Sequence, residues 1–184
     1  MVIFAARSGQ AERSAGAAAR EGTVEGNGKI STGRRKTVLF LCTGNACRSQ
    51  MAEGWAKALK SEEIEVFSAG VAPCYVHPKA IRVMAEAGVD ISEQYSKHVE
   101  EMDGIRFDCI VTLCDYAGEV CPYHPGLGKR IHQPFEDPVH ARGTEEEVLS
   151  RFRDVRDQIR RFVEGMPGNL DDPEEAGDSG MDKS

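Results

Sequence analysis

Two groups of residues combine reactive types with telling spacing. The first is Cys42-Thr43-Gly44-Asn45-Ala46-Cys47-Arg48-Ser49. The amides of so short a loop converge on one point, and a helix opening at Arg48 adds the partial positive charge of its N-terminus. Gly44 permits a tight turn, and Asn45 tolerates a left-handed backbone. Arg48 offers a planar fork that holds two oxygens at once. The pattern is that of a tetrahedral-oxyanion site, with Cys42 as nucleophile and Thr43, Gly44, Asn45, Ala46, Cys47, Arg48 and Ser49 around the oxyanion. Such surroundings bring a thiol pKa from about 8.5 to roughly 4–7, and Ser49 is placed to hydrogen-bond the thiolate. The second group is Cys114, Cys121 and Asp137. A helix standing from residue 114 to 120 would hold the two cysteines about 10 Å apart, and a disulfide needs Cα atoms within about 7 Å. The pair therefore bonds only where the segment is a loop or unwinds, and Gly118 and Pro122 make it a poor helix. A zinc site from Cys114, Cys121, His124 and His132 fits poorly, because the gap between the cysteines is longer than the usual ligand spacing. Asp137, fixed by Pro138, is the candidate general acid, and Glu136 is its competitor.

The elements that must position these residues are legible from periodicity. Thr37 to Cys42 reads as an apolar strand that ends on the nucleophile. Ser49 to Lys60 reads as a helix with Met51, Trp55 and Leu59 on one face. Ile64 to Ser68 is a short strand. Pro78 opens a helix that stops before Gly88, and a short helix is expected from Ser96 to Met102. Phe107 to Leu113 reads as a strand buried on both faces that delivers Cys114 to the same rim of the sheet as Cys42. Lys129 to His132 is a brief fourth strand. The last helix starts with a capping box, Thr144 with Glu147. It carries Val148, Phe152, Val155, Ile159 and Phe162 as its inward stripe. Cys47 is expected to pack behind the loop, Cys109 in a buried strand, and Cys74 in a loop.

The run from Cys42 through Gln50-Met51-Ala52-Glu53-Gly54-Trp55 resembles the loop of thioredoxin-coupled arsenate reductases. These share the fold of the low-molecular-weight protein tyrosine phosphatases. The resemblance implies a single three-layer α/β domain, a four-stranded parallel sheet flanked by helices, over residues 36–165. Residues 1–35 are then a disordered or processed extension, and residues 166–184 an acidic disordered tail. It also implies a reaction sequence. Cys42 attacks arsenate, Cys114 attacks Cys42 and expels arsenite, and Cys121 attacks Cys114, leaving a redox-active Cys114–Cys121 disulfide for thioredoxin to reduce. Phosphate and sulfate are the expected analogues of the substrate, and no tightly bound cofactor or metal is expected. Some members of that family hold a potassium ion behind the loop; the matching ligands here are Asn45, Glu53 and Ser68. Lys97 stands where those members have an aspartate, so potassium dependence is not expected. A second departure is Gln133-Pro134, where an aromatic residue and glycine often precede the Asp-Pro loop.

Two rival readings use the same residues. A low-molecular-weight protein tyrosine phosphatase needs only Cys42, Arg48 and Asp137, but Val139-His140-Ala141 offers no aromatic platform for a phosphotyrosine ring. A non-catalytic oxyanion or redox sensor would use the thiols without turnover.

Composition bounds the rest. The 184 residues suit one domain with a real core, and no apolar run approaches a membrane span. The net charge of −7 argues against general nucleic-acid binding. It is uneven, with a balance of +4 over residues 1–36 and −5 over residues 166–184. The anion site must therefore attract its substrate locally. Six cysteines without a secretory signal read as thiols of a reducing compartment, so a cytoplasmic monomer is expected.

Overall fold

The structure is a computed structural model that describes residues 34–116 and 128–171. The extension at 1–35, save Arg34 and Arg35, falls outside the described residues, as do Cys121, Gly118, Pro122 and His124.

A four-stranded sheet of order β2-β1-β3-β4 forms the middle layer, with every pair parallel. β1 (Lys36–Cys42) is central. Its run Val38-Leu39-Phe40-Leu41 is buried on both faces, which is why it shows no alternation. β2 (Ile64–Gly70) lies on one side of it, with Cys42 opposite Gly70 in register. β3 (Cys109–Thr112) lies on the other side, and β4 (Lys129–His132) is the edge. The chain leaves β1 toward β2 and later returns to the opposite flank of β1. That reversal opens a crevice beyond the carboxyl ends of β1 and β3, where ligands of open α/β sheets bind.

Helices cover the sheet. α1 (Arg48–Lys60) buries Met51, Ala52, Trp55 and Ala56, while Leu59 is exposed, so the buried face ends at Ala56, one turn before the helix does. α2 (Pro78–Glu86) starts with proline at its first turn and His77 as its cap. α3 (Glu145–Glu164) has the expected capping box, with both reciprocal bonds formed between Thr144 and Glu147. Phe152, Val155 and Ile159 face inward as expected. At its two ends Leu149 and Val163 are the fully buried residues, and Val148 and Phe162 only pack beside them. The helix expected at Ser96–Met102 is a 3-10 turn, Val99–Met102.

The packed body extends past Gly165. Met166 and Leu170 are 2 % exposed, a 3-10 turn covers Gly168–Leu170, and Asp171 pairs with Lys36. Residues 166–171 therefore belong to the folded domain and not to the acidic tail. The apolar Met166 and Leu170 explain why, since each buries its side chain against the core. None of the helices among the described residues is long and apolar enough to cross a membrane.

Candidate active site

Cys42 is the last residue of β1 and is 3 % exposed. Its Sγ lies 2.9 Å from Ser49 Oγ and accepts the Asn45 N–H at 3.2 Å. The loop turns at Asn45, whose φ of 44° is the left-handed value expected for it. α1 begins at Arg48 without a side-chain cap and without an acid in its first turn, so its free amides face the loop with their partial positive charge.

Asn45 holds the loop together. Its Nδ2 donates to Ser49 Oγ and to Ser68 Oγ, both at 2.9 Å. Its Oδ1 accepts from Gln50 Nε2 at 2.9 Å and from the Lys97 N–H at 2.8 Å. Its carbonyl accepts from Gln50 Nε2 at 3.0 Å and from Ser96 Oγ at 2.7 Å. Gln50 and Ser96 are parts of the site that the spacing of reactive residues does not mark. The one local signal for Gln50 is a polar side chain on the first turn of a helix that is buried almost all round.

Asp137, 89 positions from Arg48, meets it across the loop at 2.7 Å. Arg48 also donates to the Phe135 carbonyl at 3.0 Å. Asp137 Oδ1 accepts the Val139 N–H at 3.1 Å, which caps the 3-10 turn Pro138–His140 and points the other oxygen at the guanidinium. Glu136 is exposed and makes no such contact among the described residues. Gln133-Pro134 does not disturb the approach. Gln133 N–H donates to Thr112 and Phe135 N–H to Leu113, so the segment follows the edge of β3 to the loop.

Cys114 follows β3 and is 7 % exposed. Its Sγ lies 3.3 Å from Thr43 Oγ1, on the residue after the nucleophile. The register causes this. Leu41 pairs with Thr112, and Leu113 N–H donates to Leu41, so the two chains leave the sheet side by side. Cys121 lies outside the described residues. Cys47 and Cys109 are buried and Cys74 is exposed, each as expected.

The acidity expected of Cys42 is corrected by the structure. Burial pushes its thiol pKa up, and this outweighs the Ser49 hydrogen bonds, the Arg48 charge and the Asn45 N–H that pull it down. The physical reason is that Arg48 is shared with Asp137 and Phe135 while the sulfur has almost no contact with water. Burial also raises Cys47, and it raises Cys109 to about 11.

Behind the loop, the residues expected as cation ligands are engaged with each other. Ser68 Oγ donates to Glu53 Oε2, and Lys97 Nζ lies 3.3 Å from the same oxygen. Lys57 Nζ lies 2.5 Å from Glu53 Oε1. Lys97 is itself 8 % exposed and reaches the Tyr95 carbonyl at 3.1 Å.

The sequence profile of the low molecular weight phosphotyrosine protein phosphatase family matches residues 37–175. The chain belongs to this family. Within the low molecular weight phosphotyrosine protein phosphatase family, its similar relatives include arsenate reductases. That of Halalkalibacterium halodurans is 46 % identical over 129 residues, covering 70 % of this chain and 93 % of the relative. That of Bacillus subtilis is 48 % identical over 124 residues, covering 67 % and 89 %. A solved arsenate reductase in the phosphate binding state is 37 % identical with a TM-score of 0.59, covering 73 % of this chain and 98 % of that one. The low molecular weight protein tyrosine phosphatase of T. tengcongensis is 26 % identical with a TM-score of 0.60, covering 73 % and 99 %.

Proposed function

We propose that this protein reduces arsenate to arsenite as a cytoplasmic monomer, with thioredoxin as the dithiol that regenerates it. The observation that carries the reading is the convergence of Cys42, Cys114 and the Arg48–Asp137 pair on one rim of the sheet. A phosphatase needs the first and the last of these, and only a thiol relay needs the second. Arsenate reductases of similar sequence have been solved in reduced, intermediate and oxidised states, which supports a cycle of thiols.

Arsenate enters the loop and takes the Arg48 fork from Asp137. The Cys42 thiol gives its proton to an arsenate oxygen as its sulfur bonds to arsenic, and that oxygen takes a second proton from Asp137 and leaves as water. The Cys114 thiolate then attacks Cys42 sulfur. The S–As bond breaks, its electron pair stays on arsenic, and arsenic(V) becomes arsenic(III) while two thiols become the Cys42–Cys114 disulfide. Cys121 attacks Cys114 sulfur and returns Cys42 as thiolate. Thioredoxin reduces the Cys114–Cys121 disulfide that remains.

The reading includes no bound cofactor and no potassium requirement. Asn45 Oδ1 already accepts two N–H groups, and the Lys97 ammonium sits against Glu53. Such a set does not fit a further cation.

A coupled assay with arsenate, thioredoxin, its reductase and NADPH tests the whole reading. Wild type turns over many times, at the same rate in potassium and sodium salts. Cys114→Ser and Cys121→Ser yield no more than one arsenite per molecule. Full turnover in either variant removes the relay. No arsenate-dependent NADPH consumption in wild type, with aryl phosphate still hydrolysed, makes the protein a phosphatase.

A further inference from the structure

Cys114 sits inside a bracket made by two neighbouring strands. Thr112 stands opposite His132 in the β3–β4 ladder. Their side chains meet there, with Thr112 Oγ1 2.8 Å from His132 Nδ1. The other ring nitrogen, Nε2, lies 3.2 Å from Asp115 Oδ1. One imidazole thus ties the residue two places before Cys114 to the residue directly after it. The donors can be assigned. An ionised carboxylate only accepts, so Nε2 carries a hydrogen. In the neutral ring Nδ1 accepts, and the Thr112 hydroxyl donates to it. In the charged ring Nδ1 donates instead, and the Thr112 hydroxyl turns to the Ile131 carbonyl, 3.4 Å away. The bracket therefore closes in either charge state of the ring.

The place of Cys114 against the nucleophile depends on this tie. β1 and β3 are parallel neighbours with Leu41 paired to Thr112, and Leu113 N–H continues the ladder to the Leu41 carbonyl. Paired strands lie about 4.8 Å apart and rise about 3.3 Å per residue. Cys114 is one residue out of step with Cys42, which puts their Cα atoms about 6 Å apart. A disulfide closes at about 4.4–6.8 Å. The Cys42–Cys114 bond can therefore form with both backbones in place, and any wandering of residue 114 works against it. β3 ends at Thr112, so residue 114 lies past the last paired residue of its strand. Thr43 Oγ1 touches its sulfur at 3.3 Å, and the bracket holds its backbone from the β4 side.

We propose that His132 and Asp115 are positioning residues for Cys114: their bridge holds its backbone at the distance that the Cys42–Cys114 disulfide needs. This rests on the relay of the proposed function, in which Cys114 attacks Cys42. It adds to that relay two residues that touch none of the reacting atoms. The bridge is open to water, with His132 47 % and Asp115 83 % exposed, so its effect is modest.

The test is a redox equilibrium in a Cys121→Ser background, where the relay stops at its first disulfide. The protein is equilibrated with reduced and oxidised dithiothreitol, which exchanges two electrons and two protons with the Cys42–Cys114 pair. Free thiols are then alkylated, and the bridged Cys42–Cys114 peptide is counted by mass spectrometry beside thermal melting of each variant. Asp115→Ala and His132→Phe each lower the equilibrium constant for the bridged form by about threefold, the size an exposed ion pair supports. The double variant loses no more than either single one, because both remove the same bridge. Asp115→Asn keeps an acceptor for the Nε2 hydrogen and stays nearer to the background value than Asp115→Ala. A merely structural role lowers the melting temperature and leaves this equilibrium where it was. Constants unchanged in both single variants, or losses that add in the double variant, overturn the proposal. If His132→Phe does not fold, Asp115→Ala decides alone, since so exposed a side chain contributes little packing. With arsenate, the single release of arsenite slows by the same factor in the same variants. A background protein that releases no arsenite while the equilibrium shifts are present overturns the proposed function and leaves the bracket standing.

Discussion

Asp137 and Glu136 are neighbours of the same charge, and their surroundings separate them. Asp137 lies against Arg48 with its second oxygen capped by Val139 N–H, whereas Glu136 faces solvent. Asp137→Asn keeps one acceptor oxygen, for the Val139 N–H, and loses the transferable proton together with the charge that faces Arg48. Its kcat with arsenate is expected to fall by about a hundredfold, the lower end of general-acid effects. Phosphate affinity should change little. Glu136→Gln should stay within about twofold of wild type, since an exposed side chain has no hold on the reacting atoms. Steady-state rates and phosphate titration of both variants check this, and equal losses would remove the distinction. At this scale the sequence was informative about types. Cysteine, arginine and aspartate are scarce groups with few other reasons to stand in such a pattern. It was uninformative about partners. Gln50, Ser96 and the Lys97 N–H reach Asn45 by contacts that no local spacing encodes. The acidity of Cys42 is not encoded in its loop for the same reason: burial is set by every element that covers the sulfur.

Among elements, the end of β2 constrains the loop most directly. Gly70 stands opposite Cys42, and a Cβ there would meet Thr43 O at 2.7 Å and Asn45 N at 2.8 Å. These are backbone atoms of the oxyanion loop, which have no side-chain freedom to yield. Glycine is needed for this close approach and not for an unusual φ. Gly70→Ala is expected to cost about 1–3 kcal/mol of stability through overpacking. It should also weaken phosphate and arsenate binding, because the loop amides are what must shift. Urea unfolding and phosphate titration measure the two effects, and normal binding in a destabilised variant would mean that β2 moved and the loop did not. β1, α1 and α3 were legible because an apolar run, a helical period and a capping box are local signals. The strand β3 is shorter than its apolar run, Cys109–Thr112 against the Phe107 to Leu113 that hydrophobicity suggests. Apolar residues continue on both sides of its ladder, and hydrophobicity alone does not mark where pairing stops. The register that sets Cys114 beside Thr43 followed from topology, because parallel strands of alternating units end on one rim.

Over the whole molecule, the groups whose proton affinity folding changes set the pH range of stability. His77 is half-buried, its ring between Tyr75 at 6.3 Å and Phe152 at 5.0 Å. Burial and then the Lys79 charge lower its pKa, with Asp137 opposing them. A lowered folded value means stability that is complete above the ordinary histidine pKa of about 6.5 and lost as pH falls through the folded value. Asp108 adds a second acid-side loss. Its carboxylate accepts the Thr37 N–H at 2.7 Å and pairs with Arg34, which lowers its pKa, so its contribution disappears as pH falls below about 4. The buried thiols act on the other side. Burial raises Cys109 to about 11, so its contribution is complete below the ordinary thiol pKa of about 8.5 and lost as pH rises toward 11. The urea midpoint should therefore be flat between about pH 7 and 8 and fall on both sides. His77→Asn keeps a side-chain oxygen to cap α2 and removes the titrating ring. Its curve should lose the decline that begins as pH falls below about 6.5 and keep the steeper one below about 4. Cys109→Ala should lower stability overall and flatten the alkaline limb. Urea unfolding of the three proteins from about pH 4 to 10 decides it. A His77→Asn curve parallel to wild type between pH 7 and 5 would show that the clamped ring is not the group that titrates there.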